Sequence, residues 1–246
     1  MAAAHLPPLR RERGADLCVV NGENAAGGFG INAQTAEELF AAGADVITSG
    51  NHVWNRKEAE ELLLREPRLL RPANYPRGAP GKGLFVARTP AGPVAVINLM
   101  GRVFMPPVEC PFREADRLIA GLGEEVRVIV VDFHAEATSE KAALGWHLDG
   151  RASAVIGTHT HVQTADERLL PRGTAYLSDV GMTGPADSVI GIKTSIVIEK
   201  FLTGVPRRME VAGGPGQLNG ALVEVNPSTG RALSIARIAL REEDAG

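Results

Sequence analysis

Cysteine is nearly absent from this 246-residue chain: Cys18 and Cys110 are the only two, far apart and in no CxxC pair. That excludes a disulfide framework and a thiolate zinc site, and leaves Cys18 to read as a small core hydrophobe. An excess of positive charge is lacking too, with 26 Lys and Arg against 29 Asp and Glu and a formal net charge of −3. No broad basic surface for nucleic acid or an anionic membrane is therefore expected, and small ligands are favoured over polyanions. No apolar run is long enough to cross a bilayer, and the opening MAAAHLPPLRRERG holds too short a one for a signal peptide. The expected location is the reducing cytoplasm. Phosphate-loop chemistry is missing as well: no GxxxxGK[ST] occurs, and the GGFG at residues 27–30 is not GxGxxG, so that stretch reads as a mobile loop. Internal repeats and low-complexity segments are also absent.

What is present is a succession of apolar strands that end in polar, metal-capable side chains, in a length suited to one α/β domain over residues 1–246. Residues 6–13 read as the tail of an exposed helix stopped by Gly14, and DLCVVN (16–21) as a strand leading into Glu23 and Asn24. TAEELFAAGA is helical in its spacing, and DVITSGNHVW is a second strand closing on Asn51 and His52. A charged amphipathic helix at 58–68 and a Pro- and Gly-rich irregular connection at 71–83 follow. VAVINL (94–99) is a third strand; Arg102 just past it could meet an anion, but a lone Arg is more often solvated or salt-bridged and stays outside the site assignment. Residues 112–122 read as a helix, and VRVIVV (126–131) as a buried parallel strand running into His134, with Asp132 and Glu136 beside it as orienting groups. In ASAVIGTHTHVQT (152–164) the apolar run stops at Gly157 and is followed by His159 and His161, which extended backbone would send from one face. A strand at 173–179, a loop, an antiparallel hairpin over 218–240 and a solvated tail, REEDAG, complete the chain.

The strand ends collect Glu23, Asn24, Asn51, His52, His134, His159 and His161, four of the six histidines among them; His5 and His147 fall outside and read as ordinary surface or helix residues. Imidazole, carboxylate and amide without sulfur suit manganese, iron or zinc. Seven candidates exceed what one ion needs and suggest two metals sharing a bridging carboxylate, a device for in-line displacement at phosphorus.

The succession NGEN (21–24), GNH (50–52), DFHAEATSEK (132–141) and GTHTH (157–161) resembles the calcineurin-like metallophosphoesterase superfamily. Within it, RPANYP, HLDGRASAVIGTHTH and DVGMTGP resemble the YmdB-type bacterial phosphodiesterases along nearly the whole chain. The resemblance implies a two-sheet β-sandwich flanked by helices and a dinuclear centre of iron or manganese, with zinc or magnesium as alternatives. It also implies hydrolysis of cyclic nucleotides as small-molecule substrates, with 2′,3′-cyclic phosphates first and 3′,5′-cyclic phosphates as a wider option. It assigns the bridging carboxylate to Glu23, the amide ligand to Asn51, histidine ligands to His134, His159 and His161, the leaving-group acid to His52, and to Asn24 a position near the first metal. Members of that family open with a strand ending in Gly-Asp-Val whose Asp is a metal ligand; the resemblance starts here inside the following helix, so a missing N-terminal strand is expected, from a start assigned too far downstream or a truncation. Two other readings stay open, a regulatory or binding protein that keeps the pocket without turnover, and a phosphomonoesterase or nucleotidase on the same centre. Self-association is open as well.

Overall fold

The computed structural model describes residues 1–242. It is a mixed α/β fold with three sheets and flanking helices. The first elements are α1 (Ala2–Arg13), β1 (Val19–Asn21), α2 (Ala33–Ala41), β2 (Val46–Thr48) and α3 (Ala59–Arg65). Then come β3 (Leu84–Thr89), β4 (Gly92–Met100), α4 (Pro111–Ala120), β5 (Val128–His134), α5 (Thr138–Leu148) and β6 (Ala154–Thr158). The last are β7 (Arg168–Leu169), β8 (Ala175–Leu177), β9 (Gly184–Pro185), α6 (Thr194–Thr203), β10 (Gly216–Val225) and β11 (Ala232–Arg241).

The large sheet has six strands in the order β3-β4-β5-β6-β8-β7, with β4, β5, β6 and β8 parallel and the two edge strands antiparallel. Alternation along these strands assigns each side chain to a face. Ala95, Ile97, Leu99, Ile129, Val131, Phe133 and Val155 join Ala115 of α4 and Leu144 and Leu148 of α5 in the main core. The opposite face carries Val96, which packs with Val19 and Val46 of the parallel pair β1-β2. The same face carries Val130, Ala154 and Ile156, which pack with Val223 and Ile235 of the β10-β11 hairpin. On its far side the β1-β2 pair buries Val20 and Ile47 against Ala36 of α2 and Leu63 of α3. Full burial of a Leu, Ile or Phe contributes about 1.5–3 kcal/mol, so these clusters hold the layers in register.

Asp132, on the core end of β5, fastens the layers where the site lies. It accepts hydrogen bonds from Asn21 Nδ2 of β1 (3.0 Å), from the Thr48 hydroxyl of β2, and from Thr158 Oγ1 of β6 (2.7 Å). Burial pushes its carboxyl above the ordinary aspartate range against the pull of those donors.

Several expectations are revised. Residues 84–89 form β3, paired antiparallel with β4, where no element was assigned. Residues 138–148 and 194–203 are helices that the apolar spacing did not reveal. The strand placed at 126–131 starts later and runs on to His134, and the helix placed at 58–68 is confined to Ala59–Arg65. The expected solvated tail is docked at its start, where Arg241 closes β11 and the Glu242 carboxylate accepts from Gly216 N at 2.9 Å; residues 243–246 of it lie outside the described residues. Among the described residues, no helix is long and apolar enough to cross a membrane.

Candidate active site

The carboxyl ends of β1, β2, β5 and β6 open on one place: β1 runs parallel to β2 and β5 to β6, and Asp132 ties the ends of the two pairs together. Glu23 and Asn24 follow β1, Asn51 and His52 follow β2, His134 ends β5, and His159 and His161 follow β6. The structure brings these seven sequence-predicted residues together as two neighbouring groups.

His134 is the centre of the first group. Its Nδ1 lies 3.0 Å from Thr158 Oγ1, and that hydroxyl gives its only proton to Asp132 Oδ1. The imidazole must therefore donate from Nδ1, which leaves Nε2 as a bare acceptor. Three further atoms surround that nitrogen: Asn51 Oδ1 at 3.0 Å, His159 Nδ1 at 3.0 Å and Glu23 Oε2 at 2.5 Å. His159 is fixed in the same way, because its Nε2 lies 3.1 Å from the Glu136 carboxylate and donates there, so its Nδ1 is bare too. Burial pushes the His159 pKa down to about 4, and the ring is neutral at pH 7. Glu23 is buried. Its Oε1 accepts the backbone N–H of His52.

In the second group, His161 Nδ1 donates to the Ile190 carbonyl at 3.1 Å, and its Nε2 accepts from Asn24 Nδ2 at 3.1 Å. His52 borders both groups through its backbone bond to Glu23. Its Nδ1 accepts from Asn55 Nδ2 at 3.1 Å, so the ring proton sits on Nε2, and the Phe29 ring meets it edge-on at 5.2 Å. Burial lowers the His52 pKa, so this ring too is neutral at pH 7.

Lone pairs converging without a proton between them repel, and a cation relieves that repulsion. Two observations bear on whether a metal fits. Glu23 Oε2 is buried and, despite its closeness to His134 Nε2, has no hydrogen-bond partner among the described residues; Asn24 Oδ1 is in the same condition. Gly50 makes room for the cluster, since a Cβ there would stand 2.2 Å from His134 Cδ2 and 2.3 Å from both His134 Nε2 and Glu23 Oε2. Among the described residues no three His, Cys, Asp or Glu side chains form a ready-made cage. The donor set around His134 is completed by an amide, Asn51 Oδ1, at 3.0 Å, while Glu23 Oε2 and His134 Nε2 crowd closer than a metal's ligands stand from one another. The residues fit a metal in kind.

One geometric expectation is corrected. His159 and His161 are not consecutive same-face residues of an extended strand: both have left-handed backbones, at φ 105° and φ 66°, beyond the end of β6. They reach the site through a strained turn and meet different partners. Arg102, set aside at the sequence level, is exposed, and its backbone N–H donates to the buried Glu140 carboxylate at 3.0 Å. Asn55, Thr158 and Phe29 were missed. Thr158 stands inside GTHTH and Asn55 three residues after His52, spacings that point to a polar neighbour; no sequence signal marks Phe29.

Comparison with known proteins places the chain in context. Residues 1–238 match the family described as YmdB-like protein. A Bacillus subtilis (strain 168) protein named 2′,3′-cyclic-nucleotide 2′-phosphodiesterase is 47% identical over 243 residues, covering 99% of this chain and 92% of that one. A crystal structure of a hypothetical protein from Thermus thermophilus superposes with a TM-score of 0.93 at 42% identity, over 98% of this chain and 93% of the other. That of a novel phosphatase from Mycoplasma pneumoniae gives 0.92 at 35% identity, over 99% and 89%.

Proposed function

The chain belongs to the YmdB-like family and is a phosphoesterase, and from that premise we propose that it opens 2′,3′-cyclic nucleotides to nucleoside 3′-phosphates at a metal centre built on Glu23 and His134. The observation that carries this reading is the buried Glu23 Oε2, without a hydrogen-bond partner among the described residues, facing the bare Nε2 of His134. Glu23, Asn51, His134 and His159 would hold one ion, and Asn24, His161 and the same Glu23 carboxylate a second, with iron or manganese suited to the mixed nitrogen and oxygen donors. Such ions, when bound, polarise the phosphoryl oxygens and make a water acidic enough to attack phosphorus at neutral pH. On this reading, β1-β2 and the β10-β11 hairpin, which cover the same face of the large sheet, are the second layer of a metallophosphoesterase-type sandwich.

The protein's own groups do the rest. Water oxygen bonds to phosphorus as the P–O2′ bond breaks, and O2′ must gain a proton. His52 carries one on Nε2, held there by Asn55, at the border of the Glu23 group, where it can donate to the departing ribose oxygen. Asp132 through Thr158, and Glu136 directly, keep the protons of His134 and His159 on the nitrogens that face away from the site.

The test is hydrolysis of 2′,3′-cyclic AMP with product identification, in protein treated with chelator and in protein resupplied with Mn²⁺ or Fe²⁺. The expected result is 3′-AMP, lost with chelator and restored by metal. Full activity in chelator would sink the metal reading, and turnover of monoesters alone would favour a nucleotidase. A parallel 3′,5′-cyclic AMP assay defines the breadth of the substrate class.

A further inference from the structure

A buried ion pair that takes no part in the chemistry above lies directly behind the two histidines of the GTHTH turn. Lys141 Nζ of α5 donates to Asp179 Oδ2 at 2.7 Å, with the side chains 2% and 1% exposed. The same Oδ2 accepts the backbone N–H of Thr160 at 2.9 Å, and Oδ1 accepts Gly181 N at 2.9 Å. Thr160 is the residue between His159 and His161. Farther along, Thr164 N donates to the Asp179 carbonyl at 3.0 Å and Asp179 N to Thr164 Oγ1 at 3.0 Å. The whole turn 160–164 is thus closed at both ends on one aspartate.

Gly157 makes that closure possible. A Cβ there would stand 1.7 Å from the Ser178 carbonyl oxygen, so only glycine lets the 178–180 segment run against the exit of β6, where Val180 N donates to Gly157 O at 2.8 Å. Buried ion pairs as a class add little to stability compared with apolar side chains of the same volume. This one has another use. Two non-glycine residues in left-handed conformation need surrounding contacts to over-determine them, and the bond to the amide between them is such a contact. Lys141 supplies the counter-charge that lets a buried carboxylate accept backbone amides as an anion.

We propose that Asp179, paired with Lys141, is the positioning residue for His159 and His161, setting their left-handed turn and with it the aim of both imidazoles into the site. The proposal rests on the metal-centre reading for its consequence, the metal affinity, but the anchor itself can be tested without metal. The variant is the charge-neutral pair Lys141→Met with Asp179→Asn, which leaves no unpaired buried charge. In chelator-treated full-length protein, nitrogen-15 histidine spectra of the wild type should show single tautomers, with His159 protonated at Nε2 and His161 at Nδ1. In the double variant those signals should average while the thermal midpoint stays close to wild type, and calorimetric titration with Mn²⁺ should show about 10- to 100-fold weaker binding, the usual consequence of losing a group that orients ligands. Unchanged histidine spectra and unchanged Mn²⁺ affinity in a folded double variant would overturn it. If that variant does not fold, hydrogen exchange of the Thr160 amide in the wild type decides: protection like that of β6 supports the anchor, and exchange at the rate of a free loop overturns it. Absence of Mn²⁺ binding by the wild type would remove the metal reading alone, since the spectra and the exchange would still judge the anchor.

Discussion

His52 is the residue whose chemistry separates most cleanly from its structural surroundings. Its ring stands against Phe29 and accepts from Asn55, while its backbone N–H donates to Glu23. Replacing only the ring therefore leaves the backbone bond in place. General acid catalysis is worth about 10²–10⁴-fold, so His52→Ala should slow opening of a 2′,3′-cyclic nucleotide by that order. A nitrophenyl phosphodiester, whose leaving group departs unaided, should lose much less, and the metal content should stay at the wild-type level. Equal losses on both substrates, together with lost metal, would make His52 a packing residue. The residues themselves were legible because GNH, DFH and GTHTH put imidazole, amide and carboxylate just past apolar runs. The tautomers were not, because they depend on Thr158, Glu136 and the Ile190 carbonyl, which only the fold brings into contact.

Strand ends carry the site, and they were read well where burial is two-sided. β5 opens on Val128-Ile129-Val130-Val131 and β6 on Ala154-Val155-Ile156, apolar runs of the kind that strands covered on both faces show. α5 escaped notice because its inward face is partly polar: Glu140 and Lys141 are buried and Trp146 is half exposed, which breaks the apolar period. α6 has no side-chain cap and buries only Val197, with Phe201 and Leu202 each 82% exposed, so neither cap nor face announces it. The exit of β6 makes a prediction of its own. Gly157→Ala drives a methyl into the Ser178 carbonyl, and overpacking of this kind costs roughly 1–3 kcal/mol. Denaturant titration should show that loss, with weaker metal binding because the histidine turn moves with the strand. Unchanged stability would contradict the close β6–β8 approach.

Across the whole molecule, the parallel strands deliver every candidate group to one edge, and the layers meet at Asp132 directly beneath it. Acid should act on this arrangement in a defined window. Folded His159 titrates at about 4 and the unfolded ring near its ordinary 6.5, so between those values the unfolded chain binds a proton that the fold refuses. The metal-free protein should therefore lose stability as the pH falls from 6.5 towards 4, and His159→Gln should flatten that part of the profile. Equal slopes for the two proteins would contradict the burial of a neutral ring.

The most direct test of the proposed metal centre is the Glu23→Gln protein, assayed for 2′,3′-cyclic AMP hydrolysis beside its calorimetric Mn²⁺ binding. Glutamine keeps the shape of the side chain and removes the charge at the one buried oxygen left without a partner among the described residues near His134. The account predicts a folded protein that binds Mn²⁺ weakly or at reduced stoichiometry and has lost nearly all turnover; a variant with wild-type metal binding and most of its activity would contradict it.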